Sequence, residues 1–281
     1  MAFRSTRARA DAVGELRDAL WAIFRGELDL VILEDAVDPA WMAAAVERVE
    51  TDAARFPWTP QESAKKPHHE QMMVLGQTLT PVSGFDIDMG AYHARAAEFR
   101  AACETIFGIE AQSLEAQVIR LLSALSGGRE VFLPPSADGR GHYTPGTIRR
   151  LPTGCHIPVH CGNFFLESPG YAHLRQTVDV VDQLSYFLPM QTPEAGGELL
   201  VYTLAWGDPA TPKLPGMDLF DSRAIEAWDH EAFAPAVGEM LVFDGGRYYH
   251  KVSHVKGARP RLTVGGFTGF TRDHQRVVFW S

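Results

Sequence analysis

From about residue 130 to residue 280 the chain consists of short runs of Val, Leu, Phe, Tyr and Thr, separated by Gly/Pro turns. Strands are predicted near 147–151, 156–161, 184–190, 198–203, 239–243, 247–255, 261–270 and 277–280. Some eight short strands with turn signals between them point to a β-sandwich or jelly roll. Residues 205–236, rich in Pro, Asp and Gly, interrupt the series and read as an insert over one end.

The first half reads as helical. Val13, Leu16, Leu20, Ile23 and Phe24 recur at helical spacing, and the basic residues before them read as a charged first helical turn rather than a transit peptide. Leu30 to Leu33 is an apolar run of strand type. Asp38 followed by Pro39 is a helix start, a capping carboxylate and a proline at the first helical position, with Trp41, Met42, Ala45, Val46 and Val49 as the apolar face. Tyr92, Ala96, Phe99, Cys103 and Ile106 make a further helical stripe. So do Leu114, Val118, Leu121 and Leu125, with Ser113 as cap and Gly127 as stop. Residues 57–90 are irregular. The expectation is α+β: one domain over 1–281, with a mostly helical part (1–129) buttressing a double-stranded β-helix (130–281), the cupin-like jelly roll.

Composition excludes several classes. At 281 residues with 46% apolar and 22% charged side chains, the chain is long and apolar enough to bury its own core without a disulfide or metal staple. No run of about 18 apolar residues is present, which argues against a membrane span. The formal charge of −9 argues against a nucleic-acid polymer as partner. Cys103, Cys155 and Cys161 form neither a disulfide framework nor a Cys-x-x-Cys site, which suits a cytoplasmic location.

Histidine is the informative residue type. His156, Pro158, His160 and Gly162 alternate along one predicted strand, and His250 lies in another, Tyr248-Tyr-His250-Lys-Val252. Arg261 opens the strand after that. Non-haem Fe(II) oxygenases hold iron by two His and one carboxylate, with open positions for substrate and O₂. The carboxylate commonly sits two residues after the first His. Here that position is Gly162, which leaves a gap large enough for a halide. A zinc-type pair of His156 and His160 fails on distance, because four residues of strand separate side chains by about 13 Å. His254 fails against His250 for the same reason. Cys161 points to the opposite face and reads as packing. Ile157, three residues before His160, has the wrong parity for the same face.

Several long motifs give these residues a context. Tyr143-Thr-Pro-Gly-Thr-Ile-Arg149, Ile157-Pro-Val-His160-Cys-Gly162-Asn163, Asp182-Gln-Leu-Ser185-Tyr-Phe-Leu-Pro189, Phe243-Asp-Gly-Gly-Arg247-Tyr-Tyr-His250-Lys-Val-Ser253, Gly265-Gly-Phe267 and Phe279-Trp-Ser281 occur in that order. In this region, 143–281, the chain resembles the freestanding Fe(II)/2-oxoglutarate halogenases of the welwitindolinone and hapalindole alkaloid pathways. The halogenase of nucleotide antibiotics and the N-succinyl-amino-acid hydroxylase are more distant in pattern, and the hydroxylase keeps Asp where this chain has Gly162.

The resemblance implies iron on His160 and His250, chloride in the gap at Gly162, and 2-oxoglutarate on Arg261. It implies Ser185 and Asn163 near the iron and Arg149 near the cosubstrate. The activity implied is O₂-dependent chlorination of an unactivated C–H bond in a free small molecule: an alkaloid, nucleotide or amino-acid derivative, with no carrier protein. Ile157 as pocket wall rests on the resemblance. Two alternatives stay open from the residues themselves: a hydroxylase that tolerates Gly162, and a jelly-roll binding protein without turnover.

Overall fold

A computed structural model describes residues 3–60, 71–79 and 88–281. In chain order the elements are β1 (Ser5–Arg9), α1 (Ala19–Phe24), β2 (Leu30–Glu34), α2 (Pro39–Thr51), β3 (Thr59–Pro60), β4 (Met73–Leu75), α3 (Met89–Phe107), α4 (Leu114–Leu125), β5 (Val131–Phe132), β6 (Thr147–Leu151) and β7 (Ile157–His160). They continue with α5 (Leu174–Thr177), β8 (Val178–Gln191), β9 (Leu199–Ala205), α6 (Ser222–Ile225), β10 (His230–Phe233), β11 (Met240–Phe243), β12 (Tyr248–Val252), β13 (Arg261–Thr271) and β14 (Val277–Trp280).

The strands form two sheets. The major sheet runs β1-β2-β11-β8-β13-β6-β4-β3, with β14 beside β13 and β5 beside β14. The minor sheet runs β10-β9-β12-β7. Alternation along the strands sorts side chains between two cores. Val31 and Leu33 of β2, Val242 of β11 and Leu184 and Leu188 of β8 join the helices in one apolar core. Leu30, Ile32, Leu241 and Phe243 turn the other way and meet Leu199, Val201 and Phe233 of the minor sheet.

The helices start where the chain supplies caps. The Asp38 carboxylate accepts from the Ala40 amide at 2.8 Å, and Ser113 Oγ accepts from Ala116 at 3.2 Å. Asp88 caps α3 by accepting from Gly90 and Ala91. Gly127, with φ +72, follows the end of α4. Among the described residues no helix is long and apolar enough to cross a membrane.

Three expectations are corrected. The basic N-terminal segment is a strand, β1, paired in parallel with β2. Its alternate arginines meet acids along the sheet edge, Arg7 to Glu34 and Glu239, Arg9 to Asp11 and Asp35. The helix expected from residue 13 is a 3-10 turn over Ala10–Glu15, and α-helix begins at Ala19; Gly14 weakens a helix there by about 1 kcal/mol relative to Ala. Residues 205–236 back the minor sheet: Phe220, Ile225 and Trp228 pack on Val159, Cys161, Tyr202 and Tyr249, and β10 extends that sheet beside β9. His68, His69, Lys65 and Lys66 lie outside the described residues.

Candidate active site

The two sheets enclose a cavity at the end where β7 and β12 face β6, β8 and β13. His160 is the last residue of β7 and pairs directly with His250 of β12. Their ring centroids are 4.1 Å apart with planes at 56°. Phe243 packs against His250 with ring centroids 4.9 Å apart and planes nearly perpendicular.

The tautomer of each imidazole follows from its neighbours. His160 Nδ1 lies 2.8 Å from the Pro158 carbonyl and His250 Nδ1 lies 2.9 Å from the Tyr248 carbonyl. A carbonyl oxygen only accepts, so each Nδ1 carries hydrogen and each Nε2 keeps its lone pair. Burial holds both rings neutral: it pushes the His160 pKa down to about 4, with the Arg149 charge adding to the effect, and it pushes His250 well below its ordinary value, helped by His160. Two neutral imidazoles with their Nδ1–H anchored on carbonyls are the form in which histidine binds a metal.

Two guanidinium groups face this pair from the major sheet. Arg149 of β6 and Arg261 of β13 both line the cavity, and Arg149 pairs in register with Thr263, two residues beyond Arg261. Arg261 is 7% exposed, donates to Thr263 Oγ1 at 3.2 Å and lies over the Phe187 ring at 5.4 Å. Burial, with the charge of Arg149 adding to it, pushes its pKa down to about 10. Burial lowers Arg149 as well. Among the described residues lining the cavity there is no Asp or Glu. The cavity is therefore built for anions on one side and a cation on the other.

Gly162 does not continue the strand. β7 stops at His160, and Gly162–Phe165 form a 3-10 turn. The Gly162 amide donates to the Gly245 carbonyl at 2.8 Å and the Asn163 amide to the Gly246 carbonyl at 3.2 Å. A β-carbon on Gly162 would stand 2.6 Å from Gln183 Nε2 and 3.0 Å from the Gly245 oxygen. The gap left by the missing side chain is thus bounded by an amide and a carbonyl rather than by open space.

Of the other residues singled out, Ser185 of β8 lines the cavity and is 9% exposed. Asn163 is not brought to the cavity wall: its Oδ1 accepts from the Gln183 backbone amide at 3.4 Å, bracing β8 from behind. Arg150, beside Arg149, points the other way and pairs with Glu50 at 2.9 Å. His156 and His254 stack on each other at 4.1 Å and neither lines the cavity. Ile157 does line it, against its parity. Between the pairs His250–His160 and Val252–Ile157, β7 advances three residues while β12 advances two; this irregularity turns Ile157 toward the site.

Gln183, Phe187 and Thr263 escaped the sequence reading. The signal was available: Gln183 and Phe187 lie two residues either side of Ser185, and Thr263 two beyond Arg261, so period-two alternation puts each on the same face.

The sequence of residues 6–281 matches the model of a protein family described as carrier-protein-independent halogenase WelO5. Among solved structures, an N-substituted L-amino acid dioxygenase from Burkholderia ambifaria AMMD is similar over 92% of this chain and 90% of its own, at 14% identity and TM-score 0.54. Its complex with alpha-ketoglutarate covers the same shares, at 14% identity and TM-score 0.51. The epimerase SnoN from nogalamycin biosynthesis, in complex with Fe3+, alpha ketoglutarate and nogalamycin RO, is similar at 11% identity over 92% of this chain and 83% of its own, TM-score 0.50. At these identities the likeness establishes the fold, the jelly roll of the 2-oxoglutarate oxygenases. No curated protein matches the sequence significantly.

Proposed function

The chain belongs to the family of carrier-protein-independent halogenases, and from that premise we propose that it chlorinates an unactivated C–H bond of a free small molecule, using Fe(II), 2-oxoglutarate, O₂ and chloride. The observation that carries this reading is the opposed pair His160–His250 on a cavity that offers two arginines and no carboxylate among its described lining residues. Two imidazoles leave more coordination positions open than the usual two-His-one-carboxylate set. Chloride and a chelating keto acid are the anions that would complete it.

The residues present fit these groups. Nε2 of His160 and of His250 would hold the iron, since each keeps its lone pair while Nδ1 is tied to a carbonyl. Iron with 2-oxoglutarate and O₂ supplies the oxidising power that removes a hydrogen atom from carbon, and chloride supplies the halogen. The carbonyls of Pro158 and Tyr248 keep the two rings from turning. Arg261 would bind the far carboxylate of 2-oxoglutarate, and Thr263 holds its guanidinium in place. Arg149 adds a second positive charge on the same side of the cavity. Ile157, Phe165, Phe243 and Phe267 give an apolar wall that excludes water from a reacting carbon. Ser185 also lines the cavity, and its hydroxyl would offer a hydrogen-bond donor near the iron and so bear on whether the product is chlorinated or hydroxylated.

We further read residues 1–281 as one domain, because the helices and the major sheet share one core. A cytoplasmic location is supported by three buried cysteines that are not joined in a disulfide.

The test is product mass. The protein loaded with Fe(II) and 2-oxoglutarate is offered candidate small molecules in chloride, in bromide and in halide-free buffer. Chlorinated product that becomes brominated in bromide supports the reading. Hydroxylated product alone, whatever the halide, means a hydroxylase, and consumption of no 2-oxoglutarate means a binding protein. Exclusive turnover of carrier-loaded substrate removes the free-substrate assignment.

A further inference from the structure

We propose that Gln183 is a halide-binding residue: its side-chain N–H donates to the chloride that occupies the gap at Gly162. This rests on the halogenase reading above and deepens it.

Three observations converge. First, Gln183 is fully buried, yet its Nε2 has no hydrogen-bond partner, the one such buried side-chain polar atom among the described residues that line the cavity. A buried donor left unpaired is costly, so a native protein that keeps one at a site has a use for it. Second, the amide is oriented from behind. The buried Tyr171 hydroxyl donates to Gln183 Oε1 at 2.8 Å, which commits the oxygen to that side and turns the N–H₂ group toward Gly162. Asn163 fixes the backbone of the same residue by accepting from its amide. Third, Nε2 stands 2.6 Å from where a β-carbon at position 162 would be. The Gln183 amide therefore crowds the position from which a carboxylate at 162 would start, and it presents a donor to an untethered anion lying beyond that position. A carboxylate ligand needs an empty cradle; an anion without a covalent tether needs a hydrogen-bond donor. The chain has the second arrangement.

The chemistry selects a halide. The donor is neutral and the two arginines are available for the keto acid, so the gap suits a small monovalent anion that also binds iron. A hydrogen bond to a charged partner contributes enough to change affinity by about tenfold to a hundredfold.

The experiment measures chloride binding rather than turnover. The protein is loaded anaerobically with Fe(II) and 2-oxoglutarate, and chloride is titrated while the visible absorption of the chelate is followed. Gln183→Met keeps the length and removes the donor. Gln183→Glu keeps the shape and the contact with Tyr171 and replaces the N–H₂ group by an oxygen, so it remains informative should the methionine variant fold poorly. Gln183→Met should bind Fe(II) and 2-oxoglutarate as the native protein does, with chloride affinity reduced at least about tenfold, and Gln183→Glu, which places a carboxylate at the gap, should lose chloride affinity further. Native chloride affinity in either folded variant overturns the assignment of Gln183 alone. No chloride-dependent change in the native protein overturns the halogenase reading and this proposal together.

Discussion

His160 and His250, ninety positions apart in the chain, are directly opposed across β7 and β12, each anchored through Nδ1 on the carbonyl two residues before it. The two anchors have the same geometry on two strands. They fix which nitrogen is free before any metal arrives, and they make the pair the first target for mutation.

His160→Ala and His250→Ala should each abolish iron binding at working concentrations, since two protein ligands are already few. The check is the visible absorption formed on anaerobic addition of Fe(II) and 2-oxoglutarate. A full-strength band in either variant would remove that residue from the ligand set.

Arg261→Ala should weaken 2-oxoglutarate by about 2–4 kcal/mol, roughly 30- to 1000-fold, through loss of a charge-assisted pair. Iron binding measured without the cosubstrate should stay native. Arg261 is buried beside Thr263 and Phe187, so its carboxylate partner would be shielded from water and salt. An unchanged 2-oxoglutarate constant would contradict the assignment.

Gly162→Asp should end halogenation and also lower stability. Its β-carbon would stand 2.6 Å from Gln183 Nε2 and 3.0 Å from the Gly245 carbonyl, and overpacking of this kind costs about 1–3 kcal/mol. Product mass and the thermal midpoint are the two readouts. Near-native chlorination would mean that the halide binds elsewhere.

Ser185→Ala should raise the hydroxylated share of product while iron and 2-oxoglutarate bind as before. The hydroxyl lies on the cavity wall, on the same strand face as Gln183 and Phe187. A product ratio identical to the native one would take Ser185 out of the site.

The metal-free protein should lose stability as pH falls from about 6.5 towards 4. Half-buried His160 protonates near 4 and buried His250 also lies well below its ordinary value, while in the unfolded chain both protonate near 6.5. Below 6.5 the unfolded state therefore binds protons that the native state does not. Each histidine contributes a slope of up to about 1.4 kcal/mol per pH unit, with its full stabilisation present above 6.5. Urea midpoints at pH 7 and pH 5 with a chelator present should fall further for the native chain than for a His160→Gln/His250→Gln variant. Equal falls would show that these rings are not held neutral.

The local sequence specified the strands around the site to within a few residues. β6, β7, β9, β11, β12, β13 and β14 follow the β-branched and aromatic runs between turns, and the residue types that name the chemistry, two histidines and a late arginine, are visible in chain order. β8 begins six residues before the predicted run, and the strands with little apolar alternation, β1, β3, β4, β5 and β10, carried no comparable signal.

Which of these residues meet depends on how the strands pair and the sheets pack. Periodicity is a property of neighbours along the chain, whereas register is set by a partner strand that can be a hundred residues away. The irregular pairing of β7 with β12 turned Ile157 to the cavity against its parity, and the Gly245–Gly246 carbonyls ended the strand face before Gly162. Adjacent arginines parted, Arg149 to the cavity and Arg150 to Glu50, by strand alternation whose inward sense only the sheet packing could fix. Tyr171, twelve residues before Gln183, oriented an amide that nothing in the local sequence marks as part of the site. Local sequence carries most of the elements and their chemical groups; the packing of the two sheets sets the direction in which each group points, because that depends on contacts between segments the chain brings together only on folding.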